Sequence, residues 1–573
     1  MKPFAEPMDT SAAKASFDAN NSNPSISEGG TPTVMTGGGA LVAGLLDHGI
    51  DTVFGLPGAQ TYGLFDAMHL AGPKLNVIGG RHEQTCAYMA FGYARSTGRP
   101  GVFSVVPGPG VLNASAALLN AFSANEPMLL LTGQVPTMFL DRGRGHLHEM
   151  PDQLGTLRKI VKWADRIATP ATARSQVAQA FQQMRSGRRG PAALEMPWDV
   201  FRAKATVANP GVMPLLPAPP VDDDQIERAA KLVAAAHRPM IFVGSGAIEA
   251  ADAIRELAEM LDAPVVPFRS GRGVVSSEHP LGSNIAEAYP LWEQTDLAIG
   301  IGTRMEIPAW RWSYSPPGQK VIRIDIDPAE MRRSPPDVAV VSDAKPAVEA
   351  LIAAINRTAF SRTPGRLDEI VRTAGQVKQA IADQIQPQLS YIQMLRQVLP
   401  RDGILVDEMC QVGYAAWYGF PVYGPRTFIS SGYQGNLGYG FPTALGVKAA
   451  HPDRAVVAIA GDGGFMFGAQ ELATAVQYRL GVVVVIFNNN SFGNVLRDQT
   501  EQFEGRVIGS RLVNPDFVRF AESFGVGAER VSSPDAFKLA LERALADGGP
   551  RLIEVKMGSP EASPWRFIHP RGM

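Results

Sequence analysis

A chain of 573 residues, 45% hydrophobic and 19% charged, has a globular composition and is too long for one hydrophobic core, so about three domains are expected. A formal net charge of −2 excludes a broad attraction to nucleic acid or anionic membrane, and only two cysteines, Cys86 and Cys410, exclude a disulfide framework or a cysteine-rich metal site. No run reaches the roughly 18 uncharged apolar residues of a membrane helix, and no basic region followed by an apolar stretch marks a secretory signal, so the cytoplasm is the expected location.

Residues 1–33 are rich in Ser, Asn, Pro and Gly and poor in large apolar types. Such a segment cannot bury enough surface to offset the entropy of ordering, and a disordered tail is expected there. From about Met35, helical and strand patterns alternate. Gly37 to His48 reads as a helix, Thr52 to Gly55 as a short strand ending in Leu56-Pro57-Gly58, and Asn76 to Ile78 as a strand. Gln84 to Arg95 reads as a helix, Gly101 to Val106 as a strand ending in Pro107-Gly108-Pro109-Gly110, and Met128 to Thr132 as a continuous apolar strand. Continuous apolar strands between helices signal a parallel sheet covered on both faces. Pro210, Pro214, Pro217, Pro219 and Pro220 mark a linker over 207–220. A helix opens at Asp222, and strands are expected at Met240 to Val243, Leu297 to Gly302 and Val321 to Asp327. A second polar connection is expected over 357–388. The last unit carries strands at Gly403 to Val406, Val456 to Ala460, Val482 to Phe487 and Arg551 to Val555. The expected fold class is α/β, with three doubly wound parallel-sheet domains over 34–206, 221–356 and 389–573.

The most informative stretch is the apolar strand Val456 to Ala460, its turn Gly461-Asp462-Gly463-Gly464, and a helix expected over Ala469 to Tyr478. Ligands of open parallel sheets sit beyond such strand ends. Glycines let a phosphate approach the backbone closely, and the next helix offers its amides to an anion. Asp462 supplies a hard oxygen for a divalent cation. The following strand ends in Asn488-Asn489-Asn490, whose amide and carbonyl oxygens could complete an oxygen-rich Mg²⁺ shell.

This frame resembles the diphosphate-binding motif of thiamine-diphosphate enzymes. Arg81-His82-Glu83-Gln84, Gly92 to Arg95, Gly108-Pro109-Gly110 with Asn113, and Leu131 to Pro136 resemble that family's pyrimidine-binding domain. Ser431-Gly432 to Gly440, with Phe441-Pro442, resembles the start of its diphosphate-binding domain. The resemblance runs from Val34 to the C-terminus and is closest to the acetohydroxyacid synthase (acetolactate synthase) and 2-oxoacid decarboxylase group. It implies pyrimidine-binding, central nucleotide-binding-like and diphosphate-binding domains in that order. The cofactor activates itself through its aminopyrimidine when a protein carboxyl, its pKa raised by desolvation, hydrogen-bonds the ring nitrogen. Glu83 matches that position. The resemblance also assigns Mg²⁺ to Asp462, Asn489 and the backbone oxygen of Ser491. Gly461, Gly463, Gly464, Gly493, Cys410 and Gln411 are expected along the diphosphate. Gly435 is expected to accept a bond from the pyrimidine amino group, Leu437 to wedge the cofactor into its bent shape, and Pro57, Pro109 and Asn113 to border the pyrimidine. Family members place the cofactor across a subunit boundary, so a homo-oligomer, typically a tetramer of paired dimers, is implied.

Three departures bear on the reaction. The loop after Pro136 is longer than the family's usual version, and His148 stands where the synthases place a glutamine beside the reacting carbons; it can donate, accept or relay a proton, or it can cap the loop, and Gln134 of the Leu131 to Pro136 motif is a further candidate catalytic residue. After the Asn turn, Asp498 stands where the synthases place a tryptophan and Asn494 replaces an apolar residue, giving a more polar substrate side; Arg497 either holds a substrate carboxylate or pairs with Asp498 or Glu501. Between Arg272 and Asp296 about six residues and the Met-His-Gly segment of the flavin-binding synthases are missing, so FAD is not expected. The C-terminal segment Ser563 to Phe567 carries an aromatic pair that can cover a site mouth or make a subunit contact. The leading expectation is a carboligase of the acetolactate synthase type, which decarboxylates a 2-oxoacid and transfers the acyl carbanion to a carbonyl acceptor. The alternatives are a simple 2-oxoacid decarboxylase, a 2-hydroxy ketone or 2-hydroxyacyl lyase, and a cofactor-binding pseudoenzyme. The substrate in each enzymatic case is a small molecule. Gly244-Ser245-Gly246 is too short for a dinucleotide fingerprint, because position 249 is Glu249.

Overall fold

A computed structural model describes residues 31–312, 314–558 and 562–570. The tail expected over 1–33 lies outside the described residues except at its end, where Thr33 already belongs to a strand.

In the first third, chain order gives β1 (Thr33–Thr36), β2 (Thr52–Gly55), β3 (Asn76–Ile78), β4 (Gly101–Val105), β5 (Met128–Gln134), β6 (Trp163–Arg166), β7 (Ala192–Pro197) and β8 (Lys204–Val207). Six of these form a parallel sheet in the order β3-β2-β4-β5-β7-β6. β1 and β8 pair separately and antiparallel, Thr33 opposite Val207. That ribbon was not expected: Thr-Val-Met-Thr and Lys-Ala-Thr-Val carry no local pattern, and only the tertiary fold brings them together. The middle third contributes β9 (Pro239–Val243), β10 (Val265–Pro267), β11 (Leu297–Ile301), β12 (Lys320–Asp325) and β13 (Val338–Val341), a parallel sheet in the order β10-β9-β11-β12-β13. The last third contributes β14 (Ile404–Val406), β15 (Phe428–Ile429), β16 (Val456–Gly461), β17 (Val482–Asn488), β18 (Gly527–Val531) and β19 (Arg551–Lys556), parallel in the order β15-β14-β16-β17-β19-β18. The chain is therefore α/β with three parallel sheets and flanking helices. The inner strands β4, β5, β9, β11 and β17 are buried at every residue, which is why they read as unbroken apolar runs.

Two expected elements differ. The polar connection over 357–388 holds a 19-residue helix, Arg366–Gln384, that packs against the helix Ile285–Trp292. Its apolar positions Ile370, Ala374, Val377 and Ile381 form a single narrow stripe in a polar sequence, so composition hid it. The helix expected from Ala469 to Tyr478 is broken into a 3-10 turn, Ala469–Glu471, and a short helix, Leu472–Gln477.

Strand order matters for function because crevices form where consecutive connections leave a sheet in opposite directions. In the first sheet that point lies between β2 and β4. In the central sheet it lies between β9 and β11, and in the third between β14 and β16. The first and third sheets are joined by two crossing helices, Glu83–Thr97 and Gly440–Ala450. A β-carbon on Gly92 would collide with the carbonyl oxygen of Thr443, and one on Gly446 with that of Met89. The backbones thus touch, and Met89, Ala90 and Phe91 share one core with Ala444, Leu445 and Val447.

Gly446→Ala is expected to destabilise the protein by about 1–3 kcal/mol, because backbone rather than a flexible side chain must move to admit the methyl group. Chemical denaturation of the variant beside the wild type measures this.

Candidate functional site

At the switch point of the third sheet, β14 runs into Asp407 to Gln411 and β16 into Gly461-Asp462-Gly463-Gly464. The two turns touch: a β-carbon on Gly461 would lie 3.1 Å from Cβ of Cys410. Cys410 caps the helix Gln411–Gly419, its Sγ accepting from the Gly413 amide at 3.3 Å. From the next strand, β17, comes the turn Asn488-Asn489-Asn490. A β-carbon on Gly493 would lie 2.9 Å from Asn489 Nδ2 and 3.5 Å from Gln411 Nε2. Gly463 faces Phe492 and Leu512, and Gly464 faces Glu408 and Leu437. Glycine at 461, 463, 464 and 493 therefore lets the three strand ends pack together at distances that a side chain would prevent. Asp462 is buried, and burial pushes its carboxyl above the usual range against the opposing hydrogen bond from Asn514. Asn489 Oδ1 accepts from the Ser491 amide at 3.1 Å and its hydroxyl at 2.9 Å. The buried Gln411 Oε1 has no hydrogen-bond partner among the described residues. Gly435, with φ +61°, and half-buried Leu437 form the facing turn.

Three polar residues of this region escaped the sequence analysis. Asp407 and Glu408 are fully buried at 0% exposure. Asp407 accepts from Trp417 Nε1 at 2.7 Å and from the Tyr439 hydroxyl. Glu408 Oε1 accepts from the Gly438 amide at 2.5 Å. Burial raises Asp407 to about 6 and Glu408 to about 8. The adjacent acidic pair after β14 was the available signal. Asn514, the third, is 52 residues from Asp462 and carried none.

At the switch point of the first sheet, Glu83 is the first residue of its helix and His82 caps it, Nδ1 accepting from the Gln84 amide at 3.2 Å. Asn113 Nδ2 donates to Glu83 Oε2 at 3.0 Å. Pro109 opens the helix Pro109–Ala124, and Pro57 and Pro109 are both exposed. His148 has φ +61°, and its Nδ1 lies 2.8 Å from Oε1 of the buried Gln60. Gly108 sits against the His148 backbone, so the loop and the β4 turn are in contact. Gln134 is buried; its Nε2 donates to Glu195 at 3.3 Å and its Oε1 accepts from Val135. The structure thus brings Glu83 and Asn113 together and His148 to Gln60, while it turns Gln134 into a network with Glu195 and Gln153.

Beyond the Asn turn, the helix Gly493–Gln502 carries Asn494, Arg497 and Asp498. Arg497 donates to Asn494 Oδ1 and lies 3.5 Å from Asp498. Trp565 Nε1 donates to the same Asn494 oxygen at 2.5 Å. The turn Pro564–Phe567 packs on the helix Gln411–Gly419, with Trp565 against Tyr414 at 4.7 Å between ring centroids. Arg571, at the end of the tail, lies outside the described residues.

The central switch point opens into a cleft where all three sheets' loops meet, lined by Ser245, Gly246, Arg304, Asp325, Arg188 and Tyr433 among others. None of its lining residues belongs to the Asp462–Asn489 cradle. Among the described residues no three His, Cys, Asp or Glu side chains cluster as a metal site, and no helix is long and apolar enough to cross a membrane.

Three family models match the chain. The N-terminal TPP-binding domain of thiamine pyrophosphate enzymes matches 35–156, their central domain 226–351 and their C-terminal TPP-binding domain 409–555. A probable 2-ketoarginine decarboxylase of Pseudomonas aeruginosa is 32% identical, over 91% of this chain and 94% of its own length. A probable acetolactate synthase large subunit of Methanocaldococcus jannaschii is 33% identical, over 92% of this chain and 93% of its own. An Escherichia coli acetolactate synthase isozyme 3 large subunit is 31% identical, over 89% of this chain and 92% of its own.

Glu408 gives a pH signature. Its pKa in the fold is raised, so at neutral pH the folded chain holds a proton that the unfolded chain has released, and stability falls as pH rises from the ordinary carboxylate range to about 8. Glu408→Gln removes this contribution, while Asp407 titrates in both proteins. Melting temperatures measured from about pH 5 to about pH 9 are expected to shift steadily in favour of the variant as pH rises.

Proposed function

Because the chain belongs to the thiamine pyrophosphate enzyme family, we propose that it decarboxylates a 2-oxoacid and transfers the acyl carbanion to a carbonyl acceptor, as a carboligase of the acetolactate synthase type. The observation that carries the reading is the placement of the Gly-Asp-Gly-Gly and Asn-Asn turns at the ends of the paired strands β16 and β17, next to the switch point of the third sheet. Thiamine diphosphate, when bound, supplies a carbon nucleophile that takes up the acyl fragment of the oxoacid.

The residues fit this cofactor: glycines whose bare backbone a phosphate can approach, one carboxylate linked through Asn514 to amide oxygens, and a buried Gln411 oxygen without a partner among the described residues. We assign Mg²⁺ to Asp462, Asn489 and the backbone oxygen of Ser491, a hard-oxygen set that suits it. Gly461, Gly463, Gly464, Gly493, Cys410 and Gln411 then border the diphosphate, and Gly435 and Leu437 the ring junction. Glu83, held by Asn113, would share a proton with the pyrimidine nitrogen, and Pro57 and Pro109 would border that ring. The two halves lie apart in one chain. Asn113 and Ser123 sit ten residues apart on one helix, about 15 Å. Gly432, three residues before Gly435, lies against Ser123 and Ala124 at its far end. A second copy of the chain therefore completes each site, and the active form is a homo-oligomer.

The reading includes no flavin. The segment after Arg272 is short and lacks the Met-His-Gly of the flavin-binding synthases. A simple decarboxylase is the second reading. It is favoured by the His148–Gln60 pair, which sets an imidazole at the substrate loop, and by the relative named a probable 2-ketoarginine decarboxylase.

Product analysis with pyruvate, alone and with aldehyde acceptors, in the presence of thiamine diphosphate and Mg²⁺ tests the choice. Carboligation products support the first reading, free aldehyde the second, and no turnover with any oxoacid would leave a cofactor-binding protein without catalysis. Glu83→Gln is expected to keep the fold and the cofactor but to lose roughly 100-fold or more in turnover; near-wild-type rates would refute the assignment. The purified protein is expected to show no flavin absorbance after denaturation.

A further inference from the structure

The side-chain nitrogen of Asn514 is the meeting point of three oxygens. It donates to Asp462 Oδ2 at 2.7 Å and lies 3.2 Å from Asn490 Oδ1 and 3.3 Å from Asn488 Oδ1. An NH₂ group has two protons, so the carboxylate takes one and the two amide oxygens share the other. Asn488 is not free to turn its oxygen away, because its own Nδ2 donates to buried Glu554 at 2.7 Å. The turn is closed by the Asn490 amide, which donates to Asn488 Oδ1 at 3.0 Å, with Asn490 in the left-handed region, φ +54°. Three oxygens from two strand ends thus converge on one nitrogen, in the arrangement that a cation also draws from oxygen ligands.

Asn514 is delivered by a strap, residues 505–515, laid across the Asn turn. The Phe492 amide donates to Ser510 O at 2.9 Å, the Leu512 amide donates to Asn490 O at 2.8 Å, and Ser491 and Arg511 form an antiparallel bridge between them. Gln499, on the helix Gly493–Gln502, clasps the strap from the other side. Its Nε2 donates to Ile508 O at 2.9 Å, and its Oε1 accepts from the buried Ser510 hydroxyl at 2.8 Å. Leu512 closes over Gly463.

We propose that Asn514 is a positioning residue of the cation site, its amide fixing the rotation of the Asp462 carboxylate and the shape of the Asn488–Asn490 turn so that Mg²⁺ meets a preformed set of oxygens. This rests on the assignment of Mg²⁺ to Asp462 and Asn489. Groups that orient a metal's ligands typically contribute 10–100-fold to metal affinity. The reasoning predicts that the amide acts on the concentration of metal required and leaves the chemical step alone.

The test is a titration of Mg²⁺ at fixed thiamine diphosphate, read by calorimetry or by the melting temperature, on the full-length protein. Asn514→Leu keeps the volume and removes the amide; Asn514→Ala removes both. In both variants the Mg²⁺ concentration for half-maximal cofactor binding is expected to rise 10–100-fold, while turnover at saturating Mg²⁺ stays near wild type. An unchanged Mg²⁺ requirement in Asn514→Leu overturns the proposal. So does a loss of cofactor binding that saturating Mg²⁺ fails to restore, since that marks a purely structural strap. Should Asn514→Ala not fold, Asn514→Leu decides alone. Wild-type protein that binds the cofactor without any Mg²⁺ requirement overturns the cation assignment itself, a result distinguishable from failure of the Asn514 role.

Discussion

The close crossing of two helices at Gly92 and Gly446 is the constraint on which the arrangement of the site depends. Contact at the level of the backbone leaves no slack at the crossing. Each of the two helices begins at a candidate functional turn. Glu83 is the first residue of one, and the other starts directly after Gly435 to Tyr439. Their crossing thus fixes, within one chain, the position of the carboxyl turn relative to the facing turn of the third sheet. The shared core around Met89, Phe91, Leu445 and Val447 holds that geometry by burial, while the glycines set its distance.

The third sheet carries an unusual polar load at its switch point. Asp407, Glu408, Asp462 and Asn488 are all buried there, and burying such groups costs free energy unless they are paired. Most are. Asp407 is held by Trp417 and Tyr439, and Asn488 by Glu554, which pairs in turn with Arg530 at 2.6 Å and Lys556 at 2.9 Å. The exceptions are informative. Glu408 Oε2 is set against the Gly440 backbone, and Gln411 Oε1 lacks a partner among the described residues. Burial is what pushes the Glu408 carboxyl up to about 8 against the hydrogen bond from the Gly438 amide.

The alternation of apolar strands with helices made the three parallel sheets legible in the sequence, because strands buried on both faces are unbroken apolar runs. The cradle was legible too, since Gly-Asp-Gly-Gly and Asn-Asn-Asn are contiguous and sit at strand ends. What escaped was whatever depends on contacts distant in sequence. The ribbon of Thr33–Thr36 with Lys204–Val207 has no local pattern. The helix Arg366–Gln384 has too thin an apolar stripe to stand out in a polar stretch. Asn514 reaches Asp462 only through the strap, and nothing in its own neighbourhood announces it. Gln134 stands in a recognisable motif, and the fold turns its amide toward Glu195, a contact its own neighbourhood does not announce.

On the proposed reading, the substrate side follows from how charge is already committed. Arg497 is no free anchor for a substrate carboxylate, because it donates to Asn494 and lies beside Asp498. A substrate carboxylate would have to displace these partners, and little net attraction would remain after the exchange. Asn494 in turn holds Trp565, so the polar triad and the aromatic wall of Tyr414 and Trp565 form one unit. That unit extends into the central sheet's loops: Trp565 stacks on His569 at 5.5 Å, His569 Nε2 lies 2.6 Å from Arg311 Nη1, and Arg311 lies over Phe268 at 5.3 Å. Selection among carbonyl substrates therefore rests on the shape of a wall braced by all of these contacts, and a change at Arg311 or His569 acts on it from outside the cradle.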